Sequence, residues 1–384
     1  MTARLAGGAR FVCKRCVGSQ AKQVAVVSDA GGFRRGCGEW RHGARRQSGM
    51  MAQLLVDPPL LLNRRKFHLR LYALLPSWRP LRVLLFREGL ALFATAVYSG
   101  AALSKNRRAW LTNSALNMQP GGGLLARLGL RQAIPPNTSA LVWDMARLRR
   151  ALGAAAFDAV WARIEAATMQ LFCNWPVGAR GSPFVSTRKG SGHTRANLYE
   201  PLPPPHEHVS DCFDLLGVDV LVGADLSVSV LEVNLQPSME IKSDVHRRVK
   251  ESLWREILKV AVAPALAEPP ERYDEALVRS ARRIRRDALR CDAGAGRSGT
   301  DASTPPSAAA AAAAVCALGE DATALQLHRM RAMDEAIRAS GFANVYPPWG
   351  GAAAHAAREQ CVGSEPGALD VLLRELRADH ATRT

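Results

Sequence analysis

The stretch CFDLLGVDVLVGADLSVSVLEVNLQPSM, residues 212–239, limits what this 384-residue chain can fold into more than any other. Two apolar runs flank Gly223-Ala224-Asp225, which is the turn chemistry of a β-hairpin. The first run holds a single carboxylate, Asp219, and the second ends on Glu232 and Asn234. An unpartnered carboxylate is costly to bury, so these residues need a reason to sit in apolar strands. Side chains two apart on a strand share a face, and Glu232 and Asn234 therefore project together. Pairing about the turn sets Asp219 opposite Val230 to Glu232, with one residue of register left open. Two carboxylates and an amide converging there suit Mg2+, which borrows its remaining ligands from phosphates and water. On spacing alone the same residues also read as the wet ends of a hairpin, with Asn234 opening a turn before Pro237.

The rest of the chain supplies strands and helices in separate stretches rather than in alternation. ARFVCKR and AKQVAVVSD read as a strand–turn–strand, and residues 52–98 as short strands cut by Pro58, Pro59, Pro76 and Pro80. Residues 139–172 read as two helices interrupted near Gly153, and 244–266 as one amphipathic helix. Residues 176–210 are polar and proline-rich, the pattern of a loop. The order then fails in a low-complexity stretch, RDALRCDAGAGRSGTDASTPPSAAAAAAAVC, before helical periodicity returns over 320–348 and 367–379. This predicts an α+β catalytic core at 10–266, a low-complexity linker at 267–319 and a helical tail at 320–384 available to a partner.

Composition narrows the partners. A formal net charge of +17 draws the chain to polyanions: nucleic acid, an anionic membrane surface or an acidic protein. Nucleic acid ranks last, because no zinc-finger spacing, RRM aromatic motif or KH loop accompanies the charge. No run reaches the roughly 18 apolar residues of a membrane span, and the N-terminus lacks the continuous apolar region of a secretory signal. Eight cysteines are scattered without framework spacing. Cys13-x-x-Cys16 lacks the second ligand pair of a structural zinc site, and the expectation is reduced thiols in an intracellular protein.

Four blocks in order carry a resemblance over roughly residues 11–260. FVCKRCVGSQAKQVAVVSD is similar to the phosphate-loop strands of the tubulin–tyrosine ligase-like family. PLLLNRRKFHLRLYALLPSWRPLRVLLFREGLALFATAVYS resembles its central block, WLTNSALN its Leu-Thr-Asn block, and the hairpin its C-terminal Leu-Glu-Val-Asn signature. LHRMRAMDEAIRASGFANVYPP is similar, more weakly, to the segment that follows the linker in polyglutamylase members. The resemblance implies an ATP-grasp fold, here partial and without the family's N-terminal subdomain. It implies ATP- and Mg2+-dependent ligation of glutamate onto acidic tails of tubulin, in the cytoplasm and cytoskeleton, with the cilium or basal body as a further place. The carboxylate becomes an acyl phosphate, and an amine displaces the phosphate. By the same resemblance Asp219, Glu232 and Asn234 hold Mg2+, with Glu232 also catalytic. Lys14, Lys22 and Lys66 contact the nucleotide and its phosphates, and Arg70 orients phosphates or an incoming carboxylate through bidentate bonding. Gln53, Leu54 and Leu55 form the hinge against which adenine lies, and Thr112 and Asn113 line the pocket.

The chain also departs from the family pattern. Ala21 and Gln23 stand where the phosphate loop has glycines, and a Cβ obstructs close backbone approach to phosphate. His68 stands for an aspartate, Leu92 for an arginine, Trp110 for a histidine and Gln236 for a serine. These changes support a second reading, a catalytically impaired protein that still binds microtubules. Leu235 resembles members that start a glutamate branch and Gln53 those that elongate one, so that choice stays open.

Overall fold

The computed structural model describes residues 10–15, 24–29, 31, 50–78, 81–99, 107–112, 138–174, 213–266, 273–295, 320–347 and 349. Lys22, Asn113, Ala21, Gln23 and the expected helix at 367–379 lie outside them.

Three strands near the N-terminus form a small antiparallel sheet in the order β2-β1-β3: β1 (Phe11–Arg15), β2 (Val24–Val27) and β3 (Met50–Leu54). The remaining strands build one eight-stranded sheet. They are β4 (Leu61–Leu62), β5 (Arg65–Trp78), β6 (Leu81–Phe86), β7 (Leu90–Phe93), β8 (Val142–Asp144), β9 (Asp214–Val222), β10 (Val228–Asn234) and β11 (Phe342–Tyr346). The path runs β10-β9-β5-β6-β11, and β7 joins β5 to β8. The fold is α+β, and the sheets are antiparallel among the described strands.

β5, the longest strand at 14 residues, organises the layers. Its odd positions Phe67, Leu69, Leu71, Ala73 and Leu75 enter one apolar core with Val218 and Val220 of β9. That core is closed by α3 (Ala154–Cys173), which buries Val160, Ile164 and Phe172 at helical spacing. α2 (Met145–Leu152) precedes it, capped by Asp144, whose carboxylate accepts from the Arg147 amide at 2.8 Å. Gly153 separates the two helices at φ 81°, the break expected from sequence.

The other face of the large sheet is covered over part of its length. Tyr72, Leu74, Leu84 and Phe86 pack there against three helices. α4 (Asp244–Ile257) supplies Val249, Leu253 and Ile257. The helix then widens into a π turn at Leu258–Val262 and ends as α5 (Ala263–Leu266), so the single helix expected over 244–266 is interrupted by one π turn. α6 (Glu275–Ala295) adds Leu277 and Ile284, and α7 (Glu320–Arg338) adds Leu327, Met330 and Ile337.

Two expectations are therefore corrected. Part of the low-complexity linker is helical, because Leu277, Ala281 and Ile284 form an apolar stripe buried against α7. Residues 320–347 are not a separate tail. After α7 the chain turns at Gly341 and adds β11 to β6, and Arg82 of β6 is ion-paired at 2.8 Å to Asp334 of α7. Helical periodicity concealed this strand, since Phe342, Ala343 and Val345 are buried by sheet packing rather than along a helix stripe. The expectation of reduced thiols also fails at two positions, as Cys13 and Cys173 are disulfide-bonded.

Candidate active site

The uncovered part of the large sheet carries the polar residues. His68, Arg70 and Tyr72 lie on the even face of β5, and Arg70 is paired across from Asp219 and Tyr72 from Gly217 on β9. β10 pairs with β9 so that Glu232 lies opposite Asp219 and Asn234 opposite Gly217, inside the register expected from sequence. The route there differs from simple alternation. Val228 and Val230 point into the core under α3, and strict alternation would send Glu232 after them. A one-residue bulge between Val230 and Glu232 shifts the register, so that Val233 takes the core side and Glu232 turns to the face of Asp219. The bulge also leaves the Leu231 carbonyl outside the ladder. Lys14 of β1 donates to it at 2.7 Å and Gln53 of β3 at 3.4 Å, and these bonds dock the small sheet over the site.

Asp219, not Glu232, is the buried acid: the side chains are 7% and 50% exposed. Arg70 forks onto Asp219, with Nε bonded to Oδ1 and Nη2 to Oδ2 at 2.9 Å, and the Asn234 amide donates to Oδ2 at 3.3 Å. Burial pushes the Asp219 carboxyl up, but the Arg70 hydrogen bonds and the His68 and Arg70 charges outweigh it and hold the group below the ordinary range. Glu232 is shifted the other way, first by burial and then by the neighbouring Asp219 charge, against the pull of Lys14 and Arg70. Lys14 Nζ stands 4.0 Å from Glu232 Oε2.

The adjoining wall is cationic and desolvated. Lys66 is buried, which lowers its ammonium to about 8. Among the described residues its side chain has no hydrogen bond or ion pair. His68 is buried with Nδ1 at 2.5 Å from the Thr112 hydroxyl and Nε2 at 3.9 Å from Asp219. Burial takes the imidazole down to about 4, so it is neutral at physiological pH. Leu92 pairs across from His68 on β7 and faces the apolar cluster with Leu90 and Tyr72. At the hinge, the Leu55 amide donates to the Arg10 carbonyl at 2.8 Å. In an antiparallel ladder that directs the N–H and C=O of Leu54 toward the outer edge of β3, while Leu55 packs beside buried Trp110. The indole Nε1 of Trp110 has no hydrogen-bond partner among the described residues.

The structure thus brings Lys14, Gln53, Lys66, Arg70, Asp219, Glu232 and Asn234 to one face, with Thr112 reaching it through His68. Leu54 and Leu55 border that face. Among the described residues no three His, Cys, Asp or Glu side chains form a group that could hold a metal ion, so any cation here would rest on two carboxyls and an amide. Sequence reasoning missed Lys250. Its signal was its place in the buried stripe of α4, where His246, Val249, Lys250, Leu253 and Ile257 recur at helical spacing.

The sequence profile of the tubulin-tyrosine ligase family matches residues 3–122 and 189–270, more than half of the chain. The chain belongs to the tubulin-tyrosine ligase family. Its similarity extends to tubulin polyglutamylase ttll-4 of Caenorhabditis elegans, 27% identical over 55% of this chain and 31% of the relative. Human tubulin polyglutamylase TTLL5 is 27% identical over 56% of this chain and 15% of its own length. Mouse tubulin polyglutamylase TTLL6 is 26% identical over 65% and 26%, respectively. The chain therefore spans about a third or less of the curated relatives it matches. Within the family profile fall both the docking residues Lys14 and Gln53 and the Asp219–Glu232–Asn234 hairpin.

Proposed function

We propose that this tubulin-tyrosine ligase family member is an ATP- and Mg2+-dependent ligase that adds glutamate to acidic tails of tubulin. The observation that carries the reading is the pair of carboxyls Asp219 and Glu232 set opposite one another on β9 and β10, with Glu232 raised by the Asp219 charge, on the same sheet face as the buried Lys66 ammonium, which has no hydrogen bond or ion pair among the described residues. A divalent cation relieves the repulsion of the carboxyls, and a phosphate chain gives Lys66 its missing partner. The tubulin polyglutamylase names of the relatives support the choice of tubulin and glutamate, and the +17 charge suits a Glu-rich acceptor.

In this reading the fold is an ATP-grasp, with nucleotide held between the small sheet and the open face of the large one. ATP with Mg2+ would supply the phosphoryl group: the acceptor carboxylate would take it to form an acyl phosphate as ADP leaves, and the glutamate amine would attack the acyl carbon and release phosphate. The residues of the chain bind and orient. Asp219, Glu232 and Asn234 would hold the cation, with Glu232 the more exposed of the two acids. Lys14, Lys22 and Lys66 take phosphate charge. Arg70, whose Nε and Nη2 are bonded to Asp219, keeps that acid ionised and adds positive charge for an oxyanion. Leu54 offers main-chain groups to adenine between Gln53 and Leu55, and Thr112 and Asn113 line the pocket, with Thr112 fixing the ring of His68. Place of action is the cytoplasm and cytoskeleton, including the cilium or basal body.

The test is incorporation of labelled glutamate into microtubules by the full chain with ATP and Mg2+. Incorporation by wild type and background signal from Glu232→Gln is the expected result. Equal signals from the two proteins overturn catalysis. Pelleting with microtubules regardless of nucleotide, lost after subtilisin removes the acidic tails, with no incorporation, establishes the non-catalytic binder in its place.

A further inference from the structure

Lys250 lies in the buried stripe of α4 and is 5% exposed. Its Nζ donates to the main-chain carbonyl of Glu240 at 2.6 Å. The Glu240 carboxylate is engaged elsewhere, 3.1 Å from Lys242, and no carboxylate pairs with Lys250 among the described residues. A buried ammonium answered by one carbonyl is under-satisfied, since it has three donors and a full charge.

Its surroundings add positive charge. The loop from Pro237 to Glu240 connects Lys250 to the site already described. A Cβ placed on Gly217 would lie 3.0 Å from Pro237 Cβ and 3.4 Å from Arg70 Cδ, so this glycine lets Arg70 and the loop close on one another. Arg70 and Lys242 both act repulsively on the Lys250 charge, and Glu240 alone opposes them. His246, one turn earlier on α4, is hydrogen-bonded to Ser243 at 2.8 Å and held neutral by burial, so it brings no compensating charge. The site is therefore two-sided. Lys14 and Gln53 reach it from the small sheet, whereas Arg70, Lys242 and Lys250 gather on the α4 side.

We propose that Lys250, supported by Arg70 and Lys242, binds a carboxylate of the incoming amino acid and so sets the substrate class of the reaction. This rests on the ligase reading. A ligase must hold two anions at once, the phosphate chain and the carboxylate of the amino acid whose amine attacks, and two separate cationic walls keep them apart. A buried lysine satisfied by only one carbonyl discriminates sharply, because an uncharged substrate group leaves its ammonium unmatched.

The test compares full-chain wild type, Lys250→Met and Lys250→Arg for ATP affinity and for the KM of glutamate in ATP-dependent incorporation. Lys250→Met should raise the glutamate KM by about tenfold or more, as loss of a hydrogen-bonded charge does. ATP affinity should stay within about twofold, and Lys250→Arg should recover part of the loss. If ATP affinity falls as the glutamate KM rises, or neither moves, the proposal is overturned. Should Lys250→Met fail to fold, wild type and Lys250→Arg are compared on glutamate, its α-amide and its γ-amide. Rejection of one amide by wild type, weakened in Lys250→Arg, supports the proposal and identifies the carboxylate, while indifference to both overturns it. Should wild type incorporate no glutamate, the ligase reading fails separately, and calorimetric titration of glutamate decides the site. Binding by wild type that Lys250→Met lacks supports a carboxylate subsite, and absence of binding by wild type removes it.

Discussion

The two faces of β5 are built from the same strand and differ in what they ask of their neighbours. On the odd face, Phe67, Leu69, Leu71, Ala73 and Leu75 need only apolar volume, and α3 and β9 supply it. On the even face, His68 and Arg70 interrupt the apolar run, and each must find a polar partner far away in sequence: Thr112 and Asp219. Apolar partners are interchangeable within limits of volume, whereas a buried charge accepts few solutions. The first face is therefore robust and carries stability, and the second is specific and carries chemistry.

The largest expected effect lies on the site side but away from the site. Asp334→Ala removes the carboxylate ion-paired at 2.8 Å to the buried Arg82 and should cost about 4 kcal/mol by denaturant unfolding, with ATP affinity unchanged in the folded protein. A change near zero would mean that α7 and β11 do not belong to the core. Next, Leu71→Ala and Asp219→Ala should each cost about 3 kcal/mol, the first through a cavity and the second by stranding Arg70. Only Asp219→Ala should also abolish ATP affinity, and equal loss of nucleotide binding in both would erase the distinction between the faces.

A smaller effect appears in acid. His68 and His246 have folded values of about 4, below the ordinary 6.5. A base with a lowered folded value binds its proton better when unfolded, so stability is whole above the unfolded value and declines as pH falls from about 6.5 to about 4. Asp219, an acid held below its ordinary value, adds a further loss only at still lower pH. His246→Gln should flatten the first limb in urea titrations at stepped pH, and an unchanged slope would place its imidazole in water. Smallest of all, the exposed Arg149–Asp158 pair should matter little: Asp158→Ala is expected to change stability by no more than about 0.5 kcal/mol.

Much of this was readable from the chain, and the failures have physical causes. The β9–β10 hairpin, the Gly153 break and the convergence of Asp219, Glu232 and Asn234 followed from turn chemistry and alternation. The bulge did not, because one extra residue at Leu231 reverses the faces without changing composition. Alternation predicts the convergence of Glu232 and Asn234, but without the bulge it would aim both at the wrong face. Sequence did not separate the two acids, whereas the structure buries Asp219 beneath Arg70 and leaves Glu232 half in water. β11 was hidden because a strand of five residues after a helix is recognised by its partner β6, which lies about 260 residues away in the chain. Lys250 was hidden by its type: a lysine on an amphipathic helix reads as solvent-facing until packing shows the stripe it occupies.

The most direct test of the even face as a nucleotide and cation site is titration of ATP into full-chain wild type and Glu232→Gln, with Mg2+ and with EDTA. Glu232 is half exposed and its replacement by an isosteric amide leaves the fold in place, so the measurement isolates the site. Wild type should bind ATP in a Mg2+-dependent manner, and Glu232→Gln should weaken Mg2+-dependent binding by at least about tenfold. ATP binding that is absent in wild type, or equal in both proteins with and without Mg2+, would contradict it.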